Sequence, residues 1–423
     1  MRSRAAFVYL SACSLFFAAI PVSGSDSRFA ASATNDVGLD LYRKLLPDDN
    51  NLCLSPYSIE SALAMTFAGA DGQTREEMKG VLHFSKDDEF LHASFAALQR
   101  QLKEMSEKNA KLVAEAGEFG EPKEVTLAIA NRLFAQRGYD FREDFLGLVK
   151  DRYGAPLELV DFANNARGAT DQINSWVLEQ TRQRIRDLIP RDALTASTRL
   201  VLANAIYLKA RWAAPFSENA TKPQPFHVHG REAVKVPTMH DHERFCGYAK
   251  RDGFTAVSIP YIDSDLQFLI LLPDEVNGLP AVEKKVTSAM LAACAKLKGR
   301  DLELYLPKFK FEPPTLNLGS TLQTLGMKAA FDQPSGSADF DRMAPRKPND
   351  YLRISEVFHK TFIAVDEKGT EAAATTVITT VYAASILDAP KPIRVRIDRP
   401  FFYAIQHVPS GTCLFIGRVT DPR

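Results

Sequence analysis

The segment Ala372 to Leu387 constrains this chain more than any other. It runs sixteen residues without a charge, a proline or a glycine. Its Thr, Val, Ile and Tyr suit a strand, and its alanines are small. Yet the flanks are turn-like, Asp366-Glu367-Lys368 before it and Asp388-Ala389-Pro390-Lys391-Pro392 after it. A strand is typically about five to six residues long, so one ordinary sheet strand does not account for this run. Left exposed, such a segment is an aggregation hazard. It is either buried or held available to become a strand.

Alternation sharpens the point. Successive side chains of a strand point to opposite faces. The even positions Thr370, Ala372, Ala374, Thr376, Ile378 and Thr380 carry no charge, and the first four are small. The odd face holds Glu371 and Thr375. The even face is therefore buried without desolvating a charge, while Glu371 belongs in water.

The 423 residues carry 52 basic and 52 acidic side chains. No charge imbalance or like-charge block points to nucleic acid. Met1 to Gly24 reads as a secretory leader: Arg2 and Arg4 precede the apolar or small run Ala5 to Ile20, and Val22-Ser23-Gly24 suits cleavage. Residues 25–34 read as disordered, and 35–423 as a single domain that is secreted, extracellular and not membrane-bound. Of five cysteines, Cys13 leaves with the leader. Cys53, Cys246, Cys294 and Cys413 are scattered, with no CxxC pair, and Cys53 and Cys413 read as buried thiols. Asn219-Ala-Thr is an N-glycosylation sequon.

Helical patterns begin near Asn35, with Asn35 or Asp36 as the expected N-cap. Ser58 to Ala70 is apolar all round, hence a buried helix. Glu104 to Lys123 is charged, shows no apolar stripe and reads as a solvated extension. Strands are expected at Thr126–Phe134, Leu200–Leu208, Ala233–Met239, Ala256–Tyr261, Leu266–Leu272, Leu302–Lys308, Arg394–Ile397, Phe401–His407 and Thr412–Val419. Helices dominate early and strands late, without βα alternation, which argues for an α+β fold.

No nucleotide loop, zincin motif or hydrolase elbow is present. His227-Val-His229 and His240-Asp-His242 put paired imidazoles on one face if they lie on strands. Without nearby paired acidic or thiol ligands they read as exposed edge segments, so no metal and no cofactor is assigned. Lys391, Arg394, Arg396 and Arg399 interleave with Ile393, Val395 and Ile397 and read as a solvated strand face rather than a polyanion site. Ser55 or Ser58 with His359 reads as a satisfied polar network, not a catalytic pair, so no catalytic residue is assigned.

Several motifs converge on one family. Glu367-Lys-Gly-Thr-Glu-Ala-Ala-Ala-Thr resembles the reactive-loop hinge of serpins, the serine protease inhibitor superfamily. Asn51-Leu-Cys-Leu-Ser-Pro-Tyr-Ser-Ile, Asn204-Ala-Ile-Tyr-Leu-Lys-Ala-Arg-Trp-Ala-Ala-Pro-Phe, Phe226-His-Val with Val236-Pro-Thr-Met, Asp398-Arg-Pro-Phe-Phe-Tyr-Ala-Ile and Phe415-Ile-Gly-Arg-Val resemble further blocks of that family in order and spacing. The resemblance implies three sheets, eight to nine helices and an exposed reactive loop. It also implies a monomer whose partner is a serine protease, held as a covalent acyl complex after the cleaved loop inserts into the central sheet.

By the same resemblance, Glu367, Lys368, Gly369, Thr370, Glu371, Ala372, Ala373, Ala374, Thr375 and Thr376 form the hinge. Ser55, Ser58, Asn204 and His359 form the polar shutter behind the central strands, and Trp212 stands at the breach where the loop enters. The family's count of sixteen residues from Glu367 gives Ala383–Ala384 as the reactive bond, which suits elastase-like or subtilisin-like pockets. Tyr382, suited to a chymotrypsin-like pocket, and Leu387 are the alternatives. The segment from Ala383 to Pro400 is longer than the family norm. A carrier or chaperone of the same fold is the rival reading.

Overall fold

The computed structural model describes residues 27–46, 49–115, 125–370 and 391–423. The expected leader Met1 to Gly24, and with it Cys13, lies outside the described residues. So do Glu371, Ala372, Ala373, Ala374, Thr375, Thr376, Tyr382, Ala383, Ala384 and Leu387.

Two hydrogen-bonded networks of strands organise the molecule. The first has seven strands, in the order Phe309–Phe311, Ile354–Val365, Gly369–Thr370, Leu200–Arg211, Thr126–Gln136 and Glu158–Val160, with Leu316–Asn317 pairing beside Ile354–Val365. The strand Leu200–Arg211 shows why this sheet is central. Leu200, Leu202, Ile206 and Leu208 join the main core, while Val201, Ala203, Ala205 and Tyr207 join a second core with Phe162, Ile173 and Val177 of the helix Phe162–Gln180. Burial on both faces explains its nearly continuous apolar sequence.

The second network has nine strands. Its longest member, Ala233–Arg251, pairs with Lys222–His227 at its start, with Gly299–Pro307 along Thr238 to Gly247 and with Phe254–Pro260 at its end. A register shift between Asp241 and Arg244 bends it, so one strand serves both the sheet that ends in Ile393–Arg396 and the sheet that ends in Leu52–Leu54. The α+β architecture stands, with nine α-helices among the described residues.

Several boundaries differ from the sequence reading. Residues 27–34, expected to be disordered, open the helix Ser27–Leu45. Ala30, Ala31 and Ala33 are buried there, and the Ala30 N–H donates to Ser94 Oγ at 3.0 Å. Small side chains let this turn dock closely, so a composition that resembles a linker serves as packing surface. Asn35 is accordingly no N-cap. Its amide donates to the Gly411 carbonyl at 2.9 Å and accepts from the Cys413 N–H at 2.8 Å.

The helix Asp88–Glu115 likewise runs on into the expected extension Glu104 to Lys123, of which residues 116–123 lie outside the described residues. Leu98, Leu102 and Met105 continue one buried stripe, and buried Asn109 accepts from the Val125 N–H at 2.7 Å. The charges of that region line the other face. Finally, His227-Val-His229 is not a strand pair. His227 ends a strand and His229 sits at φ 52° in a turn, which breaks the alternation. No helix of the described residues is long and apolar enough to cross a membrane.

Candidate functional site

The strands Leu200–Arg211 and Ile354–Val365 run parallel and pair from Leu200↔Ile354 to Tyr207↔Phe362. Past that point they separate, and Gly369–Thr370 stands between them. Thr370 pairs with Val365 on one side, and Gly369 and Thr370 pair with Arg211 and Ala210 on the other, all antiparallel. The first residues before the 371–390 segment thus form one rung of an additional strand.

A tight turn makes this possible. Asp366 and Gly369 exchange backbone hydrogen bonds, and Asp366 Oδ1 also accepts from the N–H groups of Lys368 and Gly369 at 2.9 and 3.2 Å. Burial raises the Asp366 carboxyl, and those two N–H groups partly oppose the shift. Gly369 has φ 154°, and a Cβ there would lie 2.0 Å from the Ala210 carbonyl oxygen. The neighbouring strand therefore admits only glycine.

The preceding residues, expected to belong to the hinge, are held as firmly. Glu367 is buried; it receives a 2.8 Å ion pair from Lys308 and a 2.7 Å hydrogen bond from Thr221. Burial alone would raise its carboxyl, but these two donors hold it below the usual range. Lys368 reaches Glu218 at 3.5 Å. Trp212, fully buried, spans the turn: its backbone N–H donates to the Lys368 carbonyl and its indole Nε1 to the Asp366 carbonyl, both at 2.9 Å. Its ring stacks on Tyr261 with centroids 4.7 Å apart. The Tyr261 hydroxyl lies 2.5 Å from Thr370 Oγ1. The side chain of Thr370 therefore faces the molecular interior.

Lower in the sheet a polar row crosses three strands. Asn131, Asn204 and His359 are register partners. Beneath them Ser55 N-caps the helix Pro56–Ala68, its Oγ accepting from the Ser58 N–H at 3.2 Å. The Ser55 N–H donates to His359 Nε2 at 3.0 Å, and Ser58 Oγ donates to Asn131 Oδ1 at 2.5 Å. The Asn204 amide donates to the Phe358 carbonyl at 3.2 Å, across the seam between the two parallel strands. Ser55, Ser58, Asn204 and His359 are all fully buried. Burial pushes the His359 imidazole down to about 3, so it is neutral at ordinary pH. Its ring nitrogen accepts from a backbone N–H rather than from a serine hydroxyl, which is no arrangement for activating a nucleophile.

Asn131, Tyr261, Lys308 and Thr221 belong to this site, and sequence reasoning missed them. Asn131 had a usable signal, a polar residue in the middle of a strand. The other three come from distant segments, and only the tertiary fold brings them to the hinge. The basic face of Ile393–Arg396 is largely engaged. Arg394 pairs with Glu303 at 2.7 Å, Arg396 lies 3.9 Å above the Tyr305 ring, and Arg399 pairs with Asp398 at 2.7 Å. Asn219 is exposed within the short turn Glu218–Ala220.

Comparison with known proteins places this arrangement. Residues 32–422 match the family model of serpins, serine protease inhibitors. A serpin-like protein of Thermococcus kodakarensis is 37% identical over 393 residues, covering 93% of this chain and 85% of its own. The leukocyte elastase inhibitor of Bos taurus is 35% identical over 411 residues, covering 95% and 99%. Among solved structures, human thyroxine-binding globulin complexed with its ligand superposes with a TM-score of 0.76 at 28% identity, covering 94% of this chain and 99% of that one. The sheet that admits an extra strand, the motifs around it and these relatives agree: the chain belongs to the serpin family.

Proposed function

We propose that this chain is a secreted suicide-substrate inhibitor of serine proteases, directed at elastase-like or subtilisin-like enzymes through the bond Ala383–Ala384. One observation carries the reading. Gly369–Thr370 already forms a rung between Leu200–Arg211 and Ile354–Val365, with the Thr370 side chain turned inward. Alternation then sends Ala372, Ala374 and Thr376 inward and Glu371 outward as the strand lengthens. The buried face is small and uncharged, so insertion meets no desolvation penalty of the kind a buried charge imposes.

The sheet also gains by it. A parallel seam is replaced by two antiparallel ones, and antiparallel pairing is somewhat more stable per residue. Attack by the protease serine on the Ala383 carbonyl forms an acyl-enzyme and releases Ala384 as a new amino terminus. Insertion of the freed strand then carries the acylated protease by ~50 Å, at about 3.3 Å per residue over some fifteen residues. The likeness to the bovine elastase inhibitor supports the target class, since Ala383 is a small residue of the kind a constricted pocket accepts.

Incubation with elastase, subtilisin and chymotrypsin followed by a denaturing gel tests the proposal. An SDS-stable complex is expected, together with a released fragment that begins at Ala384 by mass spectrometry. Fragments beginning at Ala383 or Asp388 would instead assign Tyr382 or Leu387 as the cleaved residue. Turnover of the chain without any complex would favour a carrier, a reading the likeness to thyroxine-binding globulin keeps in view. Secretion and a glycan on Asn219 belong to the same proposal. Amino-terminal sequencing of the mature protein and a glycosidase-sensitive mass check them.

A further inference from the structure

The second His-x-His pair, unlike the first, does lie on a strand, and the fold brings to it an acidic ligand from a distant segment. His240 and His242 project from Ala233–Arg251 where its register shifts, with ring centroids 4.2 Å apart. Glu303, on the adjacent strand Gly299–Pro307, brings a carboxylate to the same face. The three ligand atoms lie within 4.8 Å of one another. We propose that His240, His242 and Glu303 form a binding site for a divalent transition-metal ion, zinc being the best fit to two imidazoles and one carboxylate, with water in the fourth position.

Details of the cluster support an ion there. His240 Nε2 is shielded from solvent, makes no hydrogen bond, and stands 3.5 Å from Glu303 Oε1. That separation is long for a hydrogen bond and close to the spacing of two ligands on one tetrahedral metal. The His240 ring is oriented by stacking on Tyr305 at 4.1 Å. Tyr305 in turn donates its hydroxyl to Glu303 Oε1 at 2.8 Å, which orients the carboxylate from outside the ligand set. His242 is exposed, which leaves an entry path.

The ion has a competitor. Arg394, on the strand that follows the 371–390 segment, pairs with Glu303 Oε2 at 2.7 Å. A dication on Glu303 opposes that guanidinium, so metal binding weakens the side-chain tie between Ile393–Arg396 and its neighbour. Conversely, removing Arg394 frees Glu303 for the metal.

Titration of the full-length protein with zinc chloride alone, followed by calorimetry, tests the site without reference to protease inhibition. One ion per chain is expected. His242→Ala, at an exposed position whose loss leaves the fold intact, and Glu303→Gln each weaken binding roughly tenfold or more, an effect typical of metal-site residues. His229→Ala leaves it unchanged, and Arg394→Ala tightens it. Cobalt in place of zinc gives the visible absorption of a tetrahedral site, absent in His242→Ala. Failure of the wild type to bind, or undiminished binding by a His240→Ala/His242→Ala double variant, overturns the site. Unchanged affinity in Arg394→Ala overturns the competition.

Discussion

The hydroxyls of Tyr261 and Thr370 meet 2.5 Å apart inside the protein, where the first rung of an additional strand enters the seven-stranded sheet. Tyr261 is fixed from its other side by stacking on Trp212, and the Trp212 indole holds the Asp366 carbonyl at the start of the hinge. The turn is thus gripped at both ends. Replacing Tyr261 by Phe leaves Thr370 Oγ1 buried without that partner, a loss of about 1–3 kcal/mol by the usual cost of an unsatisfied buried group. Urea unfolding measures the loss, and amide exchange at Gly369 and Thr370 reads the local release. Unchanged exchange in Tyr261→Phe would show that the rung is held by backbone pairing alone.

Thr370→Arg tests the inhibitory reading at the same position. Thr370 is only 1% exposed. A guanidinium on that face must either enter the core unpaired, costing several kcal/mol, or drive the rung out of the sheet. Cleavage of the 371–390 segment by elastase or subtilisin is expected to continue, with insertion too slow to trap the enzyme. The variant then behaves as a substrate, and its covalent complex disappears from a denaturing gel. A complex of wild-type yield in Thr370→Arg would defeat the proposed mode of inhibition.

How much of this was legible in the sequence depended on the range of the interaction. The parity of Thr370, Ala372, Ala374 and Thr376 is a local property, and the inward Thr370 agrees with it. The buried strand Leu200–Arg211 announces itself by apolar residues on both faces. By contrast, Ser27 to Thr34 misleads because its alanines and serines suit a linker and a close-packed helix equally well. Glu303 lies some sixty residues from His240 and reaches it only because Gly299–Pro307 pairs with Ala233–Arg251. A pattern confined to one segment cannot show a ligand supplied by another.

Burial makes the cysteines silent. Cys53 and Cys294 are pushed up to about 11, Cys246 and Cys413 to about 12, in each case chiefly by burial. Thiolate is the reactive form, so a disulfide-exchange reagent at pH 8 is expected to label none of the four free thiols while the protein is folded. In denaturant all four react. A fifth reactive thiol would report Cys13 and count against the proposed removal of residues 1–24. Rapid labelling of one thiol in the native protein would contradict the packing around it.

Acid is expected to loosen the seam at His359. Its folded pKa of about 3 lies below the ordinary 6.5, because burial penalises the imidazolium. Between those values the unfolded chain binds a proton that the folded chain refuses, so stability rises with pH across that window. The contribution is complete above about 6.5 and is lost as pH falls, at about 1.4 kcal/mol per unit at full slope. His92 and His407, each lowered to about 4 by burial, act in the same direction. Buried Glu60 and Glu283 have raised pKa values and act in the opposite one, so the informative quantity is a difference between proteins. His359→Asn keeps an acceptor for the Ser55 N–H but cannot take up a proton near neutrality. Urea unfolding of both proteins at intervals from pH 7 to 4.5 is expected to show the wild type losing stability faster, by on the order of 1 kcal/mol per unit. Parallel pH profiles would mean that His359 is not the group that titrates when the two parallel strands part.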